Sequence, residues 1–148
     1  MPANYNDADL LLRIYDLRRE RRLRESRDFM MRKCSFKDYA DFKKKYPENS
    51  AAGRHWGKVF GYWDMVCALV ERGAIDEELF NTCNSEHVFL WLKYKPVILG
   101  FRQEWQYPAM LSSLEKVASR HPAAAQMEQW VAMRPEPARA KPKRKAAA

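Results

Sequence analysis

The stretch from Ser50 to Phe80, SAAGRHWGKVFGYWDMVCALVERGAIDEELF, constrains the fold more than any other part of the chain. Trp56, Val59, Phe60, Trp63, Val66, Cys67 and Val70 recur at the spacing of one helical face. Tyr62, Met65 and Leu69 widen the apolar arc to roughly 220° of the circumference. A helix at the edge of a fold needs a much narrower stripe. The spacing therefore predicts a central helix over about residues 50–72, covered from at least two sides. Its remaining strip holds Gly57, Gly61 and Ala68 beside Asp64 and Glu71. Small residues there leave room for another backbone, and the two carboxylates give the strip an acidic edge. Gly73 stands where a left-handed glycine ends a helix, and Asp76 is placed to cap the next one.

The other segments read as helices too. Asn6 or Asp7 is expected to cap a first long helix running to about Lys33, with Leu10, Ile14 and Leu17 as its core stripe. Farther along, that stripe lands on Arg18, Arg21, Arg22 and Glu25. Two readings stay open for this ionic half. It overhangs into solvent with weak local pairs, or Arg18 or Arg21 reaches Asp64 and Glu71 and fixes the register of the two helices. Ser35 is expected to cap a short helix carrying Phe36, Tyr39 and Phe42, with Asp38 in the capping-box position. A brief helix follows over about 77–83. Segment 86–105 has Val88, Phe89, Leu92, Val97, Ile98 and Phe101 as core candidates, with a kink or break expected at Pro96. Tyr107-Pro108 and His121-Pro122 are read as the starts of two last helices, the second carrying Met127, Trp130 and Val131. Alternating strand patterns and internal repeats are missing. The expected fold is all-α, an irregular bundle of six or seven helices around the central one.

A length of 148 residues suits one domain with one core, and 47% hydrophobic content is ample to fill it. The expected division is a helical domain over 1–133 and a disordered basic tail over 134–148. That tail carries six basic residues against Glu136, a net of +5, which leaves only +3 of the chain's +8 on the body. The high isoelectric point therefore describes the tail more than a binding face on the fold. The first residues lack the basic and apolar regions of a secretory leader, and Lys93, Lys95 and Pro96 interrupt the most apolar run well short of a membrane span. Three cysteines in separate segments fit reduced thiols in a cytoplasm.

At GYWDMVCALVERGAIDEELF (Gly61 to Phe80) and LLLRIYDLRRERRLRESRDF (Leu10 to Phe29), the chain resembles a family of small uncharacterised bacterial proteins known as a domain of unknown function. The resemblance covers about residues 5–120 and leaves out the basic tail. It implies a helical fold and a bacterial origin, and it brings no activity with it.

The residues themselves point to no chemistry. Cys83 and His87 stand four apart, but Asn84-Ser85 interrupts any helix that would join them, and no second pair at ligand spacing exists. Phosphate-cradling glycine loops, nucleophile elbows and HExxH helices are missing. Capping accounts for Asp76, Glu77 and Glu78. Neither a catalytic residue nor a cofactor or metal is expected. The leading expectation is a non-enzymatic helical scaffold or protein-interaction module, with its surplus aromatics lining a partner groove or a self-association face. A second is non-specific nucleic-acid association through Lys141, Lys143, Arg144 and Lys145, segments of this kind also being attracted to anionic lipid. A third is a small-molecule binder or enzyme, for which Asp64, Glu71 or His55 would share a pocket.

Overall fold

Residues 2–134 are described by a computed structural model. Eight α-helices follow one another: α1 (Tyr5–Arg18), α2 (Arg21–Asp28), α3 (Tyr39–Lys45), α4 (Ala51–Glu71), α5 (Glu77–Cys83), α6 (Glu86–Glu104), α7 (Ser112–Ser119) and α8 (Ala124–Met133). A π-helical turn, Phe29–Lys33, continues α2. Among the described residues there is no strand, and no helix is long and apolar enough to cross a membrane.

The expected central helix is α4. Ser50 caps it by accepting from the Gly53 N–H, and Gly73, at φ +75°, ends it. Val59, Phe60, Trp63, Val66, Cys67 and Val70 are all buried. A second helix shares the centre. α6 buries His87, Val88, Leu90, Trp91, Tyr94, Val97 and Ile98, and rings bridge it to α4 through Phe60–Tyr94 and Trp63–His87. α7 packs against both, α2 and the π-helical turn against α4, and α3 and α8 against α6.

Several expectations need correction. The first helix is interrupted: Glu20 turns the chain and caps α2 by accepting from the Arg22 and Leu23 N–H groups. Asn4, not Asn6 or Asp7, caps α1, with Asp7 closing the capping box. Leu17 is exposed. Asp38 rather than Ser35 caps α3. α6 runs through Pro96 without a break, because proline removes one hydrogen bond while Tyr94, Val97 and Ile98 pin both sides of it in the core. The last two helices start later than their prolines. Leu111, in the left-handed conformation, leads into α7, and His121 accepts from the Ala123 N–H ahead of α8.

Candidate functional site

The acidic edge of α4 faces α7, not α1. Asp64 accepts from the Leu114 backbone N–H at 2.9 Å. Glu71 accepts from Ser113 Oγ at 2.7 Å and pairs with Lys116 at 2.5 Å. Leu111 offers α7 no side-chain cap, so Asp64 serves a free N–H at the start of that helix, while Glu71 holds its Ser113 and Lys116 side chains. The expected latch between them and Arg18 or Arg21 is thereby displaced. Arg18 lies over Trp63 and donates to Asn84 Oδ1 at 2.9 Å, while Arg21 pairs with Glu25 one turn on. Nor does the glycine strip receive a backbone: a Cβ at Gly57 or Gly61 would meet nothing within 4 Å.

The long-range ion pair that helix 2 does make is Arg27–Glu86. Arg27 Nε donates to Glu86 Oε1 at 2.7 Å, Nη2 reaches Oε2, and Trp63 Nε1 donates to the same carboxylate at 3.1 Å. One carboxylate at the start of α6 thus joins α2, α4 and α6. The pair is largely buried, and its hydrogen bond raises the Arg27 pKa.

Beside this pair the surface opens into three hollows of about 500, 370 and 220 Å³ that share walls. The two larger lie between the π-helical turn, α6 and α8, the largest extending over the chain just after the turn, and the smallest lies between α2, the turn and Glu86. Phe89 and Leu92, both expected in the core, are only half-buried and form apolar walls with Met31, Phe36, Pro96 and Val131. Trp130, more than half exposed, stands at the α8 side. Basic side chains surround this floor: Arg32, Lys37, Lys93 and Arg134 in the largest hollow, Arg24 and Arg27 in the smallest. Of these, Arg27 pairs with Glu86 and Arg32 with Asp28, which also meets Lys33, while Arg24, Lys37, Lys93 and Arg134 make no ion pair among the described residues. The groove is apolar at its base and cationic at its rim.

The π-helical turn explains how Lys93 is held there. Its widened backbone leaves the Met30 and Cys34 carbonyls facing α6, and Lys93 Nζ donates to them at 2.9 and 2.8 Å. Tyr94 Oη also donates to the Met30 carbonyl, at 2.6 Å. Burial lowers the Lys93 pKa and raises that of the Cys34 thiol beside it, which keeps the thiol neutral. Arg134 lies over the Phe89 ring, 4.8 Å from its centroid.

None of these hollows is lined by Asp64, Glu71 or His55. His55 sits between Phe29 and Ser26, its Nδ1 2.8 Å from the serine Oγ. Cys83 is exposed at the end of α5 while His87 is buried in α6, and among the described residues no group of three or more His, Cys, Asp or Glu is placed to hold a metal. Lys141, Lys143, Arg144 and Lys145 lie outside the described residues. A partner groove was among the expectations, but its place and its basic rim were not, and the one hint in the sequence was the charges at Lys93 and Lys95 within the most apolar run.

Fold and site together define an all-helical domain with an open, basic-rimmed groove on one side. Residues 5–121 match the family described as a domain of unknown function (DUF4760), and the chain belongs to that family. No curated protein and no solved structure matches it. The family match ends before α8, so two walls of the groove fall within it and the third beyond it.

Proposed function

We propose that the protein is a non-enzymatic interaction module of a bacterial cytoplasm, and that its groove holds an acidic amphipathic segment of a partner protein. The carrying observation is the pairing, across adjoining hollows, of an apolar floor with Lys37, Lys93 and Arg134, basic groups that make no ion pair among the described residues. Apolar side chains of such a segment would occupy the hollows along Phe89 and Leu92, and its carboxylates would meet Arg32, Lys37 and Arg134. Three hollows in succession suit several anchors on one chain better than one small molecule. The bacterial setting comes from the family resemblance. The cytoplasm comes from the three free cysteines, which fit a reducing compartment.

Selection of displayed peptides on the full chain tests this reading. Peptides that combine acidic and apolar residues are expected to be enriched, and the double variant Arg32→Glu/Lys37→Glu, altered only at exposed rim positions, is expected to lose roughly tenfold in affinity for them. Equal enrichment of basic and acidic peptides would sink the proposal.

A second reading, nucleic-acid association, draws on where the described chain ends. It reaches Arg134 at the groove wall, and residues 135–148 carry five basic residues against Glu136. Deleting residues 135–148 should remove most salt-sensitive binding to a mixed-sequence DNA duplex. Binding unchanged by that deletion would reject the tail as its source.

A further inference from the structure

Lys93 and Arg134 present an unbalanced pair of charges. Both line the largest of the three hollows, where burial first and the charge of Arg134 after it disfavour the charged form of Lys93. Neither forms an ion pair among the described residues: Lys93 is held by the Met30 and Cys34 carbonyls, and Arg134 rests on Phe89. The neighbouring thiol supplies no negative charge, since burial holds Cys34 neutral. An ammonium has three donors, and two are spent on the carbonyls. Its third is left for an acceptor in the hollow that the Arg134 guanidinium also lines, and a carboxylate has two oxygens to offer them. The walls around them, Phe36, Phe89, Leu92 and Pro96, are apolar. They would desolvate a phosphate dianion at far greater cost than a single carboxylate with apolar atoms beside it.

We propose that the Lys93–Arg134 end of the groove is a carboxylate-binding site, and that its ligand is an aspartate or glutamate side chain of the docked peptide, next to an apolar residue. This rests on the groove reading above and assigns one specific contact within it. A bound carboxylate would offset two like charges that the fold leaves facing one cavity, which is the physical reason to expect it there.

The probe is 5-phenylpentanoate, an apolar body with one carboxylate, compared with its uncharged amide. Both are titrated into the full chain while the backbone amide resonances of Phe89, Leu92, Lys93 and Val131 are followed. The carboxylate is expected to shift these resonances and to bind at least about fivefold more tightly than the amide, the worth of one modest charge pair. Lys93→Met should abolish that preference, Lys93→Arg should keep it, and Arg134→Gln should reduce it. Equal binding of acid and amide, or an undiminished preference in Lys93→Met, would overturn the site. If Lys93→Met does not fold, the exposed Arg134→Gln variant decides: an unchanged preference there overturns the proposal. Failure here is separable from failure of the groove reading. Acidic peptides that bind equally well to the parent and to Lys93→Met and Arg134→Gln would remove the carboxylate site and leave the docking surface standing, whereas no enrichment of acidic peptides removes both. To separate a side-chain carboxylate from a chain terminus, one acidic peptide is compared with and without C-terminal amidation. Binding lost on amidation would reject the side-chain assignment.

Discussion

His87 is fully buried on α6 with neither ring nitrogen hydrogen-bonded, surrounded by Trp63, Phe80 and His121. Its setting refuses charge. Desolvation, reinforced by His121, lowers its pKa from 6.5 to about 3. Between those values the unfolded chain binds a proton that the folded chain does not. The stability associated with His87 is therefore complete above about pH 6.5 and is lost as pH falls toward 3, by up to about 1.4 kcal/mol per pH unit. His87→Phe keeps the ring and removes both the proton site and two unsatisfied polar atoms. We expect it to be more stable than the parent at pH 7, by about 1–2 kcal/mol, and to show a flatter profile in urea unfolding between pH 4 and 7. A parallel loss of stability with pH in parent and variant would place the acid sensitivity elsewhere. Asp7 and Arg18 show the same dependence on distant partners. Asp7 looks like a local cap, yet its other oxygen accepts from the Asp76 N–H, sixty-nine residues away.

Among the elements, glycines separate what the helices need from what they merely tolerate. Gly57 and Gly61 lie in the interior of α4 with open space where a Cβ would be, so alanine there should stabilise by about 0.5–1 kcal/mol each through lower unfolded-chain entropy. Gly100 on α6 differs. A Cβ would stand 2.4 Å from Tyr39 Cγ, in a ring that packs on Phe101 and bonds Glu104. Gly100→Ala should cost about 1–3 kcal/mol. Thermal melting of the three single variants checks both signs, and a stabilising Gly100→Ala would mean that the α3–α6 contact yields easily. The contrast shows where sequence reading ends. The bounds of α4 and its glycine stop were legible because each depends on residues within one or two turns. The burial of Trp63 and Val66 was legible from period alone. The partner of the acidic edge was not: Asp64 takes a backbone N–H of α7, and backbone donors leave no mark in the sequence, while Glu71 takes Lys116, one of many distant basic residues that charge alone cannot rank. The place of the groove was illegible for a related reason. Phe89 and Leu92 fit a core stripe equally well, and only the arrangement of α8 and the π-helical turn leaves them half-buried.

At the scale of the molecule, the Arg27–Glu86 pair joins what local rules leave separate. The ionic contact expected between Arg18 or Arg21 and α4 does not form, and the long-range pair found instead, Arg27–Glu86, joins α2 to α6. Glu86 meets α2 through Arg27 and α4 through Trp63. It also lines the two smaller hollows, so the junction that fixes three helices also sets one edge of the groove. Replacing a single partner leaves the other charge buried without compensation, and Glu86→Leu or Arg27→Met should each cost about 3 kcal/mol. Removing both leaves no stranded charge. The double variant should therefore be considerably more stable than the sum of the single effects implies, by at least about 1 kcal/mol. A double-mutant cycle in denaturant unfolding measures that difference directly. If the two effects add to within about 0.5 kcal/mol, the pair is not the junction of α2, α4 and α6, and their relative placement must rest on apolar packing alone. If the coupling is found, the groove gains a structural consequence. Its walls on the π-helical turn and α6 would be fixed with respect to each other by this carboxylate, and the double variant, though folded, should bind acidic peptides more weakly than the parent while leaving Lys93 and Arg134 intact.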